Sequence, residues 1–268
     1  GQGLFATISS GFKNSVVSAW DFNSTMQSAT TSFTTLLHSA GEASSLVSQL
    51  NAIDQASTLD MTDLSKAAQE MISFGVNSSQ VIPTIKELGD ISQGNSEKFN
   101  ALALAFSQTS SAGKLTGQDL LQYISAGFNP LQVIAQKTGK SMAELRDEMG
   151  KGQISAADVA GAFQTATSAG GAFYNATADA SKTYSGQMAM LGSSVTETLG
   201  AMIKPAFTDF TNNVLPHLIS IMGTVSDTFN STGSVTDAVA AGLKAAFGPD
   251  VAGAFTAIAA GVQGSIGW

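Results

Sequence analysis

One short unit recurs along residues 113–186: a helix-capping residue, a run with apolar positions three and four apart, and a glycine. Thr116 and Asp119 have the spacing of a capping box, in which each side chain satisfies the other's free backbone N–H. Leu120, Leu121 and Ile124 follow as the apolar side, and Gly127 ends the helix. Asn129-Pro130 then forms a turn whose proline suits a first helical position, because no N–H is left unbonded there. Leu131, Val133 and Ile134 are that helix's inward residues, and Gly139 stops it. Ser141 with Glu144 makes a second box, with Met142, Leu145 and Met149 facing inward and Gly150 and Gly152 as the exit. Ser155 and Asp158 open a fourth helix, whose Val159, Ala162, Phe163 and Ala166 lead to Gly170-Gly171. Helices this short are marginal alone in water, so they must bury their stripes against one another. The expected fold is all-α: a multi-helical globular domain of short helices with glycine turns, followed by a long amphipathic helix and an Ala/Gly-rich helical tail.

The flanks carry the same period. Residues 1–112 form an N-terminal helical region, with a flexible entry over 3–14. Val17, Trp20, Met26, Phe33, Leu36 and Leu37, then Leu46, Val47, Leu50 and Ile53, describe a hairpin or one helix broken near Gly41. The Ser/Thr-rich run 28–35 has low helix propensity and must be stabilised by a partner surface. Thr62 caps a helix ending at Gly75, Ser79 begins one that tolerates Pro83 and stops at Gly89, and Ser96 opens another. Strand-like alternation is missing throughout.

Beyond Gly186 the pattern lengthens. Met188, Leu191, Val195, Leu199, Phe207, Phe210, Val214 and Leu218 recur at mostly three and four, giving an assembly or packing stripe over 187–232. Pro205 and Pro216 are the expected bends. The stripe either packs back on the globular part or meets other copies; the charged flanks of a zipper are missing. Residues 233–268 are rich in Ala and Gly, with Gly248-Pro249-Asp250 separating two short helices.

Composition narrows the function. Hydrophobic residues make up 43% and charged ones only 12%, against about 25% charged in ordinary soluble domains. Such a surface suits a chain that lives inside an assembly. A net charge of −8, with Arg146 as the sole arginine, argues against specific nucleic-acid binding. There is no cysteine, and the two histidines, His38 and His217, are far apart. His38 and Glu42 could share a helix face, but a polar pair is the better account than a metal site. Glu144, Asp147 and Glu148 beside Arg146 fit a solvated helix face better than a carboxylate pair for glycoside cleavage. No phosphate loop or Ser-His-Asp set is present, so no enzyme, cofactor or metal is expected. No leader peptide is recognised at the start, and residues 210–226 and 251–268 make poor membrane spans.

Four signatures carry a resemblance. They are Ala126 with Gly127 and Phe128; Lys151 to Ala156, including Gly152 and Ile154; Gly170 to Asn175, including Gly171, Phe173 and Tyr174; and Ser181 to Gln187, including Gly186. In this order and spacing the chain, over about residues 28–200, resembles the N-terminal domain of tail tape measure proteins of tailed bacteriophages and prophages. It departs from many members at Leu59-Asp60-Met61, where they carry a Pro-Phe pair. The resemblance implies a structural virion component in the tail lumen or tip, made in the host cytoplasm, whose family sets tail length and assists genome ejection through the host envelope. Implied partners are tail tube and tail tip proteins, further copies of the chain, and the host membrane on ejection. A wholly helical chain of this size would reach only about 400 Å at 1.5 Å per residue, so longer tails need further sequence. The alternatives are a membrane-active or pore-forming module built on the long helix and the Ala/Gly-rich end, and a module that binds a host factor.

Overall fold

The structure, a computed structural model, describes residues 2–249 together with Ala252 and Thr256, and side chains from Ser18 onward except that of Tyr184. Packing gathers the chain into two units, Gly1–Ala201 and Met202–Trp268. In order, the helices are α1 (Gln2–Leu37), α2 (Ala40–Ala56), α3 (Met61–Ser73), α4 (Ser78–Ser92), α5 (Ser96–Ala112), α6 (Gly117–Ser125), α7 (Pro130–Thr138), α8 (Met142–Gly150), α9 (Ala156–Thr167), α10 (Ala176–Ser181) and α11 (Tyr184–Asp209). A π-helical turn at Phe210–Val214, then α12 (Leu215–Thr232) and α13 (Val235–Phe247), follow. No strand is present among the described residues, and the fold is all-α.

The two expected capping boxes are formed, and the start of α9 adds a third. In the first, the Asp119 N–H donates to Thr116 Oγ1 at 3.2 Å and the Thr116 N–H donates to Asp119 Oδ2 at 3.0 Å. Ser141 with Glu144 and Ser155 with Asp158 repeat the exchange. Asn129 caps α7 with Pro130 in its first turn, and Gly139 (φ 73°) ends it in the left-handed region. One contact absent from the periodicity joins this series end to end. The Leu115 N–H donates to the Ile154 carbonyl at 2.8 Å and the Ala156 N–H to the Gly113 carbonyl at 3.1 Å, so the start of α6 is tied to the start of α9.

Several local expectations are corrected. Leu121 (65% exposed) and Ile124 (44%) face outward on α6, and its buried residues are Leu120 and Tyr123. A nine-residue helix presents one narrow stripe, and Tyr123 occupies it because its hydroxyl donates to Thr109 Oγ1 at 3.0 Å while its ring meets Phe163. The caps of α3, α4 and α5 are Asp60, Asn77 and Asn95, each one or two residues before the expected start, since Asp and Asn cap as well as Ser. Gly89 does not stop α4, which runs on to Gln93 in the left-handed region. The break between α1 and α2 falls at His38 (φ 53°) and Ser39, with Gly41 inside α2, so His38 and Glu42 do not share a helix face. The backbone is already helical from Gln2, where a flexible entry was expected. Thr30, Thr31, Thr34 and Thr35 each donate a hydroxyl to the carbonyl four residues back, while Ala29 and Phe33 supply buried contacts on the same helix.

One core cluster runs from Ala29 to Ala166 and includes residues of every helix from α1 to α9. The sequence division at 112/113 falls inside it. Within it Phe163, fully buried, has the ring centroids of Phe106, Tyr123 and Phe128 at 5.5, 5.7 and 5.2 Å. Aromatic pairs at these separations add to the area they bury. Phe163→Ala should therefore cost about 3–5 kcal/mol in urea unfolding, whereas Leu121→Ser should stay within about 0.5 kcal/mol. Equal losses for the two would contradict this placement of the core.

Candidate assembly surface

Two of the signature glycines leave no room for a side chain, and three others hold a left-handed backbone. At Gly171 a Cβ would run into the carbonyl oxygen of Ala166, the atom that accepts the Phe173 N–H at 2.9 Å. At Gly186 it would run into the Ala180 carbonyl and lie 2.7 Å from Ser181 Cα. Gly127, Gly152 and Gly170 hold φ of 93°, 71° and 89°, favourable for glycine alone. Gly150 ends α8 with open space around it, so sterics do not demand it. Phe128 and Ile154 are buried, and Phe173 reaches the core edge through an edge-on contact with Phe128 at 6.1 Å. Tyr174 is exposed beside the turn. Together these residues end the core and launch α11.

In the first unit, α11 presents its apolar side outward. Met188, Leu191 and Val195 are exposed, at 49%, 56% and 44%, and Leu199 is half-buried. Among the described residues, four side-chain hydrogen bonds tie it to the helices beneath. The side-chain amides of Asn51 and Gln55 donate to Glu197 Oε1 at 2.9 and 2.6 Å, the Ser193 hydroxyl donates to Asp54 Oδ1 at 3.3 Å, and the buried Asn23 amide donates to the Gly200 carbonyl at 2.8 Å. This is the reverse of an ordinary surface helix, which buries its apolar stripe.

The second unit also leaves large apolar residues outside. Phe207 is buried and Phe210 half-buried, but Val214, Leu218, Met222 and Phe229 are exposed. Pro205 sits inside α11 without ending it, and the backbone changes instead at 210–214, where the Leu215 N–H bonds back to the Phe210 carbonyl. Pro216 lacks the N–H that would continue the α pattern, and a π turn accommodates such a gap. The Ala/Gly-rich α13 packs on α12 through its smallest residues: Ala238 and Gly242 are buried, and a Cβ on Gly242 would collide with Val225. The two helices thus approach closely while their bulkier side chains stay free. Of the expected helix beyond Gly248-Pro249-Asp250, all but Ala252 and Thr256 lies outside the described residues.

Among the described residues, the acidic groups of α8 are taken up by local partners. Glu144 is held by Ser141, whose backbone and side-chain hydrogen bonds keep its carboxyl below the ordinary range; Asp147 pairs with Lys151 and Glu148 with Lys140, each at 2.6 Å. Each carboxylate serves its own helix. Among the described residues no group of three acidic, histidine or cysteine side chains could hold a metal, and no helix is long and apolar enough to cross a membrane. Two carboxyls are perturbed. Burial pushes Asp54 up to about 6, with Asp60 and Glu197 adding repulsion against the Ser193 hydrogen bond, and burial alone pushes Glu87 up to about 7.

Capped short helices build one core in the first unit, and α11 turns an exposed apolar face away from it. Comparison with protein families matches residues 18–204 to the family described as tape measure protein, and the chain belongs to that family. It is accordingly a structural component of phage tails that associates with other tail proteins. No curated protein and no solved structure matches it.

The perturbed Glu87 has a consequence for stability. Its folded form keeps a proton that the unfolded chain has lost between about pH 4.5 and 7, so stability is highest below that window and falls as pH rises through it. Glu87→Gln should flatten this fall and leave the protein more stable than the parent at pH 8 in thermal unfolding. A parent that gains stability from pH 5 to 8 and a variant that follows it would contradict the assignment.

Proposed function

We propose that this chain is the folded, contact-making part of a tape measure protein, and that it places the protein in the tail through the outward apolar residues of α11 in the first unit and those of α12 in the second. The observation carrying this is the pairing of the family match with a helix that turns its large apolar residues away from its own core. Exposed apolar faces of this kind mark sites of protein association. Further copies of the chain and the tail tube and tip proteins are its partners. Tail length is set by extended helical sequence, at about 1.5 Å per residue, and the folded unit contributes position, because its helices double back on one core. Ejection of the protein ahead of the genome, towards the host envelope, belongs to the same function.

Two changes in an assembled phage separate these roles. Leu191→Ser with Val195→Ser should leave the fold and the tail length unchanged but lower the yield of complete tails and weaken self-association in sedimentation. Removing a helical segment from extended sequence of the complete protein should shorten tails by roughly 1.5 Å per residue removed. Unchanged tail yield and association in the first experiment removes the stripe from the account. Unchanged tail length in the second removes the ruler.

A further inference from the structure

The attachment of α11 to the first unit invites a comparison of its two sides. A docked helix normally gains from apolar burial, about 25 cal/mol per Å² removed from water. Here Met188, Leu191 and Val195 lie outside, and the close approaches occur at glycines: Gly186 is buried, and at Gly200 a Cβ would sit 3.0 Å from the Phe22 ring. Hydrogen bonds to two carboxylates and one carbonyl remain. Such bonds are exchanged for bonds to water when the helix lifts, so their net gain is a small part of their gross strength.

The two carboxylates also oppose one another. Ser193 and Thr196 of α11 form one wall of a cleft of about 400 Å³, and its other walls carry Asp21 from α1, Asp54 from α2 and Asp60 from the turn before α3. Glu197 of α11, outside the cleft's lining, also repels Asp54, and among the described residues no Lys, Arg or His lines the cleft. Ionised Asp54, only 6% exposed, is thus surrounded by acids, and docking α11 over it seals like charge away from water.

We propose that residues 184–201 form a strap that detaches from α1 and α2 as a unit while the core of α1 to α9 stays folded, and that protonation at the acidic cleft closes it. The strap goes beyond the tail assignment and does not depend on it. Asp54, raised to about 6, is the group that titrates in the closing range. Its proton is bound more tightly with the strap docked, so acid favours the docked form and neutral or basic pH the free one. With Asp54 neutral, the remaining negative groups at the cleft no longer face a buried charge. The exposed stripe and the polar underside then become available together when the strap lifts.

Hydrogen exchange on the full chain tests this, read as protection factors so that the intrinsic pH dependence divides out. Amides of 184–201 should be protected roughly tenfold or more better at pH 5 than at pH 7.5, while those of α5 and α9 keep higher protection at both. Asp54→Asn, which keeps an acceptor for Ser193 and removes the charge, should hold the strap at its acid value at pH 7.5. Glu197→Gln should shift the same amides in the same direction without changing the core. Exchange of 184–201 together with α5 and α9, protection that does not change between the two pH values, or an Asp54→Asn chain indistinguishable from the parent would each overturn the strap.

Discussion

The first unit depends on the burial of Phe163 among Phe106, Tyr123 and Phe128. Two of the helices that carry these rings, α6 and α9, are too short to persist alone, and the caps that fix their ends contribute only about 1 kcal/mol each. The shared aromatic contact turns such marginal pieces into one body. It joins α5, α6 and α9 directly and holds the Phe128 turn before α7. Through Phe128 it reaches Phe173, which anchors the loop from which α10 and α11 depart. The backbone bridge between 113–115 and 154–156 adds a second tie at the same level, bringing the starts of α6 and α9 together where no side-chain period would.

From this core outward the balance of forces changes. Inside, apolar area and ring contacts dominate; where α11 meets α1 and α2, amides and a hydroxyl donate to carboxylates and a carbonyl, and Met188, Leu191 and Val195 face water. In the second unit the same allocation recurs in another form, since α12 and α13 meet through Ala238, Gly242 and Val225 and leave Leu218, Met222 and Phe229 outside. A chain with 12% charged residues and acidic overall has little long-range repulsion of any specific pattern to organise partners. Contact through apolar helix faces is the stronger means at its disposal, and membership of a phage tail family fits that use.

Much of this was legible in the sequence because local rules governed it. Capping boxes, proline in a first helical turn and left-handed glycines each involve residues three or four apart, so Thr116, Ser141, Ser155, Pro130 and Gly139 could be placed without knowing the tertiary fold. The inward side of α6 could not. Leu121 and Ile124 match the helical period as well as Leu120 and Tyr123, and the choice was made by Thr109 and Phe163, residues distant in the chain. The polar attachment of α11 was equally hidden: Asn51, Gln55, Asp54, Ser193 and Glu197 are ordinary helix-surface residues until the fold brings them together. Their one sequence signal was a stripe of apolar residues opposite a face of Ser, Thr and Glu, which fixes an amphipathic helix but not which face is docked.

The central claim, that the outward apolar residues of α11 in the first unit and those of α12 in the second make the contacts of the assembled tail, is tested most directly by photo-crosslinking in intact tails. A photoreactive residue placed at position 191 or 218 should give covalent products with a second copy of the chain or with another tail protein, whereas one at position 163 should react only within its own core. Products confined to the same chain at positions 191 and 218, in tails of normal appearance, would contradict the account.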